Sequence, residues 1–93
     1  MDYEIIFEGC IKGLQSQHGE SFFKGNRNNF VYRLACACNR YGMPQDVCLR
    51  LASIRFQETS YTIAEIRASV KSAYSKNLHE HGKYTWNYGK RKE

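Results

Sequence analysis

Four cysteines and three histidines are the first residues that suggest chemistry, and the chemistry is metal binding. Their spacing argues against it. Cys36 and Cys38 lie two apart; on a helix their side chains point about 200° away from each other and cannot share one ion. No C-x-x-C pair occurs, and His79 and His81 need a further ligand from elsewhere. No metal or other cofactor is therefore expected. Cys10, Cys38 and Cys48 read as small core residues, all four thiols as reduced, and Cys36, toward the polar face, as more reactive than Cys38. Catalysis finds no better footing. There is no G-x-x-x-x-G-K phosphate loop, no G-x-S-x-G elbow and no carboxylate pair placed for a metal. No catalytic residue is expected, and the chain reads as no enzyme.

The cations are more informative. The net charge is +5, but it is unevenly spread. Residues 1–23 carry one lysine against four acids, whereas residues 24–40 carry Lys24, Arg27, Arg33 and Arg40 with no acid. Lys24, Arg33 and Arg40 on one flank, with Arg67 and Lys71 on another, suit phosphates tracked without base reading. Near the C-terminal end Tyr84, Trp86 and Tyr88 alternate with Lys83, Lys90, Arg91 and Lys92, a mixture suited to stacking unpaired bases. Lys24, Arg33, Arg40, Arg67, Lys71 and Trp86 are thus the candidate nucleic-acid contacts. The expected partner is DNA, single-stranded or primer-template, held weakly. The plainer alternative is a solvated basic face with tail aromatics docked on the core. A helix-turn-helix reader centred on Tyr41-Gly42-Met43 is disfavoured, because its second helix would open with Pro44-Gln45-Asp46, an acid facing phosphate. Arg27 stands apart. A guanidinium at a helix start opposes the dipole, so an internal partner is expected: Glu65, or carbonyls at the end of another helix.

The elements that position these residues are helical throughout. Helices are expected near 2–17, 26–41, 44–55 and 62–76. On the first, Tyr3, Phe7, Cys10, Ile11 and Leu14 share a face, Gly9 and Gly13 weaken it unless something approaches closely, and Gly19 stops it. Phe22 and Phe23 in the following linker should tuck onto the core. Asn26 is the expected N-cap of the second helix. Its inward side gathers Phe30, Val31, Leu34, Ala37, Cys38 and Tyr41; Asn29, Arg33, Cys36 and Arg40 gather opposite. Gly42 ends it, and Pro44 takes the first position of the third, whose inward stripe is Val47, Leu51 and Ile54. Thr62-Ile63-Ala64-Glu65 is a capping box opening the fourth, with Ile63, Ile66, Val70, Ala73 and Tyr74 inward. Beyond Lys76 the periodicity dissolves. Tyr84 to Tyr88 has strand character but no partner strand.

The fold class is therefore all-α: a small four-helix orthogonal bundle over residues 1–76 with an irregular basic and aromatic tail over 77–93. Hydrophobic residues at 42% suffice for one core. No apolar run approaches the ~20 residues of a membrane span, and Met1-Asp2-Tyr3-Glu4 lacks a signal-peptide pattern, so a soluble cytoplasmic protein is expected.

Three fragments, in order and at the right spacing, carry a family resemblance. Gly25-Asn26-Arg27-Asn28 opens a helix, Tyr41-Gly42 closes it, and Val70-Lys71-Ser72-Ala73-Tyr74 completes the last one. From about Phe7 to Tyr74 the chain resembles the helical primase C-terminal (PriCT) family of replication primases and primase-helicases in bacterial mobile elements and phages. The resemblance implies an all-helical module that follows a primase domain, often precedes a helicase, and in some comparable modules helps hold template or initiating nucleotide. It also implies primase and helicase domains as partners, although this sequence carries neither. Two functions remain open: low-specificity template contact, or a docking spacer between primase and helicase domains that never touches DNA.

Overall fold

A computed structural model of the protein describes residues 2–17, 19 and 22–86. Four helices follow one another: α1 (Tyr3–Gln17), α2 (Arg27–Arg40), α3 (Gln45–Phe56) and α4 (Ile63–Lys76). Single 3₁₀ turns at Lys24–Asn26 and Leu78–Glu80 precede α2 and follow α4. The described residues contain no strand, only an isolated antiparallel bridge between Glu58 and Tyr61. The all-α expectation holds.

Local chemistry sets most boundaries. Asp2 Oδ1 accepts the Ile5 N–H at 3.3 Å and caps α1, and Gly19 adopts φ +66 just beyond its end. The α2 terminus is a Schellman turn. Gly42, at φ +80, donates to Asn39 O at 2.9 Å, and Met43 donates to Cys38 O at 3.1 Å. Met43 is fully buried below that turn. Thr62 Oγ1 accepts from Glu65 N at 3.3 Å, the N-cap half of the expected capping box. Two expectations at helix starts need correction. Pro44 is the N-cap of α3, with ψ 146, rather than its first helical residue. Asn26 precedes α2 but makes no side-chain cap bond, because its Oδ1 accepts from the Asn29 amide instead.

Helix α2 is the centre of the molecule, touching α1 and α3 and packing most extensively on α4. That position explains why more of it is buried than one stripe: Ala35, Cys36 and Asn39 join the expected Phe30, Val31, Leu34 and Cys38. Cys36 was placed on the polar side, yet the segment after α4 covers it. On α3 the buried set is Cys48, Leu51, Ala52 and Phe56, while Ile54 is 75% exposed. The stripe is turned by about one residue from the expected one because Phe56 drives the orientation. Its ring lies 4.6 Å from Phe22, 5.8 Å from Phe30 and 6.4 Å from Phe7. Phe22 thus docks as expected, whereas Phe23 points outward and is 57% exposed. On α4 Ile66, Val70, Ala73 and Tyr74 are buried, but Ile63, in the first turn, is 37% exposed. The Tyr74 hydroxyl donates to Met43 O at 2.8 Å, tying the end of α4 to the α2–α3 turn.

Cys10, Cys38 and Cys48 sit in the core on three different helices. Hydrogen bonding among these thiols, with burial behind it, holds Cys38 well above its ordinary 9.0. Among the described residues no group of His, Cys, Asp or Glu is arranged to hold a metal ion. No described helix is long and apolar enough to cross a membrane.

Candidate functional site

The segment after α4 gives the molecule its main concavity. Asn77 closes α4 by donating to Ala73 O at 2.8 Å, and residues 77–86 then run back across the C-terminal end of α2 as a strap. Its anchor is Asn39, whose side chain is buried. Asn39 Nδ2 donates to Asn77 O at 2.8 Å, and Asn39 Oδ1 lies 2.7 Å from His81 Nδ1. Two backbone bonds extend the attachment: Gly82 N to Asn39 O at 3.0 Å and Tyr84 N to Arg40 O at 2.8 Å. The Arg40 Nε meets Glu80 Oε1 at 3.0 Å. Aromatic contacts finish the strap. Tyr41 lies 5.5 Å from Tyr84 and 5.1 Å from Trp86, edge to face with the indole.

Gly9 receives the far side of that indole. A Cβ at Gly9 would stand 2.7 Å from Trp86 Cζ2, inside contact distance, so only glycine leaves room for the ring. The sequence-level puzzle of a glycine in mid-helix has a physical answer for Gly9. Gly13 shows none of this closeness.

Between α1, α2 and the strap lies a cleft of about 740 Å³. Its α1 wall includes Gly9, Gly13 and Gln17. Its α2 wall presents Asn29, Tyr32, Arg33 and Arg40, and Tyr84 and Trp86 close it from the strap. No aspartate or glutamate lines it among the described residues. Of the six residues proposed from sequence, Arg33, Arg40 and Trp86 therefore meet at one place. Lys24 is exposed in the 3₁₀ turn and borders a separate recess of about 300 Å³ at the start of α2. Arg67 and Lys71 are exposed on α4, outside the cleft. Tyr88, Lys90, Arg91, Lys92 and the far end of the strand-like stretch lie outside the described residues. The described part of the tail, residues 77–86, holds only the 3₁₀ turn at Leu78–Glu80 and is docked as far as Trp86.

Arg27 takes no part in the cleft. Its guanidinium donates to Ser60 Oγ at 3.0 Å and Ser60 O at 2.9 Å and pairs with Glu58 at 3.2 Å. It also stacks on Tyr61, 5.0 Å from the ring centroid, whose hydroxyl donates to Arg27 O. The internal partner exists, but it is Glu58 and the α3–α4 loop rather than Glu65. Glu65 contributes its backbone N–H to the Thr62 cap at the α4 N-terminus. Sequence reading missed Asn39 and Glu80 altogether. Asn39 falls four residues after Ala35 and eight after Val31, on the apolar spacing. A polar side chain there requires partners, which was the available signal.

A profile of the family described as Primase C terminal 1 (PriCT-1) matches residues 22–79, well over half the chain. The protein belongs to this family, a membership that associates it with primase-type replication proteins. Comparison with curated proteins and with solved structures gives no match. The matched stretch starts later and ends later than the Phe7-to-Tyr74 resemblance. It contains the α2 wall of the cleft, while α1 and the strap beyond residue 79 lie outside it.

Proposed function

We propose that this domain is a non-catalytic accessory module of a primase-type replication protein of a mobile element, contacting template DNA weakly and with little sequence preference. The observation that carries the reading is the cleft whose lining holds no acid, where Arg33, Arg40 (paired with Glu80 from the strap) and Trp86 stand with Tyr32 and Tyr84. Guanidinium groups beside aromatic faces suit a strand whose phosphates and unpaired bases are both accessible. Arg67, Lys71 and Lys24 extend the cationic surface beyond the cleft for further phosphates. The parent protein would supply primase and helicase domains, and its working place would be the cytoplasm. A second reading rests on a different observation. Ile54 at 75%, Leu78 at 72% and Phe23 at 57% exposure offer apolar contact for a neighbouring domain.

Salt titration of a labelled oligothymidylate separates the two. DNA contact weakens steeply with salt, by a slope of about 0.7 per phosphate contact on a single strand, whereas apolar docking does not. Reversing Arg33, Arg67 and Lys71 to glutamate should remove binding while circular dichroism stays helical. Binding that survives the triple reversal, or none by the wild type in low salt, gives the docking reading the lead.

A further inference from the structure

Two candidate contacts of the cleft, Arg40 and Trp86, are already engaged by other groups of the chain. We propose that residues 77–86 are a displaceable cover that withholds Arg40 and Trp86 from ligand, Glu80 occupying the guanidinium where a phosphate would sit and the indole resting on Tyr41 and Gly9 where a base would stack. The proposal rests on the DNA reading given above and concerns its regulation.

The strap is unequally attached along its length, as a cover must be. Near its root Asn39, itself 1% exposed, bonds Asn77 and faces His81, while Gly82 donates to the Asn39 carbonyl. Those bonds, part-buried around the buried Asn39 side chain, are the costlier ones to break. Two side-chain attachments, by contrast, are exchangeable. The Arg40–Glu80 pair is 36% and 24% exposed, so a solvent-borne phosphate can compete with the carboxylate for the same guanidinium. Trp86 is held through ring contacts with Tyr41 and Gly9 and is only half-buried. Between root and tip lies Gly82 at φ +74, a backbone state other residues rarely adopt. Glu80 belongs to the root, where its side chain alone can leave Arg40; beyond the glycine the tip is held by one backbone bond, Tyr84 N to Arg40 O at 2.8 Å, and by the rings of Tyr84 and Trp86 on Tyr41. An oligonucleotide that supplies both a phosphate and a base replaces the Glu80 carboxylate and the Trp86 ring contact in kind.

Two substitutions loosen these side-chain contacts without touching the Asn39 bonds. Gly9→Ala pushes on the indole while favouring the α1 helix, so the ring rather than the helix gives way. Glu80→Gln removes the charge on Arg40. Trp86 is the only tryptophan, so its emission reports the tip directly. Gly9→Ala should shift that emission to the red and raise its quenching by acrylamide. Both variants should bind a labelled oligothymidylate of about 15 nucleotides more tightly than wild type, roughly fivefold to tenfold at about 50 mM salt. Glu80→Gln should in addition steepen the salt slope by about 0.7, one new phosphate contact, while Glu4→Gln, which removes the same charge from α1, should not. If wild type binds and neither variant gains, the strap is a fixed wall and the cover is refuted while the DNA reading stands. If neither wild type nor variants bind, the DNA reading falls and the cover falls with it.

Discussion

Replacing Arg27 by alanine tests whether the arginine of the Gly-x-Arg-Asn turn is structural. Its side chain is 12% exposed, so its interactions are largely shielded, whereas its partner Glu58 is 50% exposed. Two bonds from a charged donor to Ser60 contribute about 1 kcal/mol each after discount for the nearby solvent. The pair with half-exposed Glu58 adds roughly 0.5 kcal/mol. The stack on Tyr61 adds about 0.5–1 kcal/mol. Against these, removing a cation from a helix start relieves about 0.5 kcal/mol of dipole repulsion. The net loss is about 2–3 kcal/mol, which for a domain of this size lowers the melting temperature by roughly 10–20 °C. Thermal unfolding followed by circular dichroism at 222 nm (about one wavelength suffices for a helical protein) gives the measurement. Glu58→Gln should cost only about 0.5 kcal/mol, since the bonds to Ser60 remain. Arg27→Lys should fall between, because an ammonium cannot serve Ser60 and the ring together. A melting temperature of Arg27→Ala within about 3 °C of wild type would refute the structural assignment. So would a salt slope of DNA binding reduced by one contact, which would place the guanidinium on a phosphate instead.

The remaining predictions concern burial. Asn39→Ala leaves Asn77 O and His81 without their partner and should cost about 2–3 kcal/mol, read by urea denaturation; a loss below about 0.5 kcal/mol would deny it the anchoring role. With a thiol reagent on the folded protein, Cys36 and Cys10 at the cleft should react slowly, and Cys38 and Cys48 only on unfolding; fast labelling of Cys38 would contradict the packing. Alkaline pH should destabilise the protein. Burial pushes Tyr74, Tyr61 and Tyr41 above their ordinary 10.0, and Cys36 and Cys38 lie above 9.0, so each holds its proton more tightly folded than unfolded. Their contribution is fully present below about pH 9 and declines as pH rises through the folded values, so denaturation midpoints flat up to about pH 11 would contradict it.

Helix existence and most boundaries were legible in the sequence because caps and glycine stops act locally: Thr62, Gly19 and Gly42 each determine their own turn. Orientation was less legible. The expected α3 stripe of Val47, Leu51 and Ile54 has good helical spacing, but the aromatic cluster around Phe56 is a tertiary event, and it turned Ile54 outward. Periodicity cannot see a partner on another element. The same limit applies at the cleft. Charge density pointed to Arg33 and Arg40, and aromatic interleaving pointed to Trp86, each from short windows. That all three meet required the strap to fold back through Asn39, a contact spanning about forty residues of sequence that no local pattern encodes.

Where the cleft falls relative to the family match carries its own argument. The α2 wall, with Arg33, Arg40 and the buried Asn39, lies within residues 22–79. The glycine that admits the indole, and the indole itself, lie on either side of that stretch. Gly9 has no packing reason to be glycine except Trp86, and Trp86 reaches its place only because the Asn39 anchor aims the strap toward α1. These are matched features on separate elements, and each loses its rationale without the other. The cationic wall can exist on the matched core alone, whereas covering it requires both flanking pieces together. Under the proposed function, withholding the cleft is a task of the flanks, and phosphate contact by Arg33 and Arg40 a task of the core.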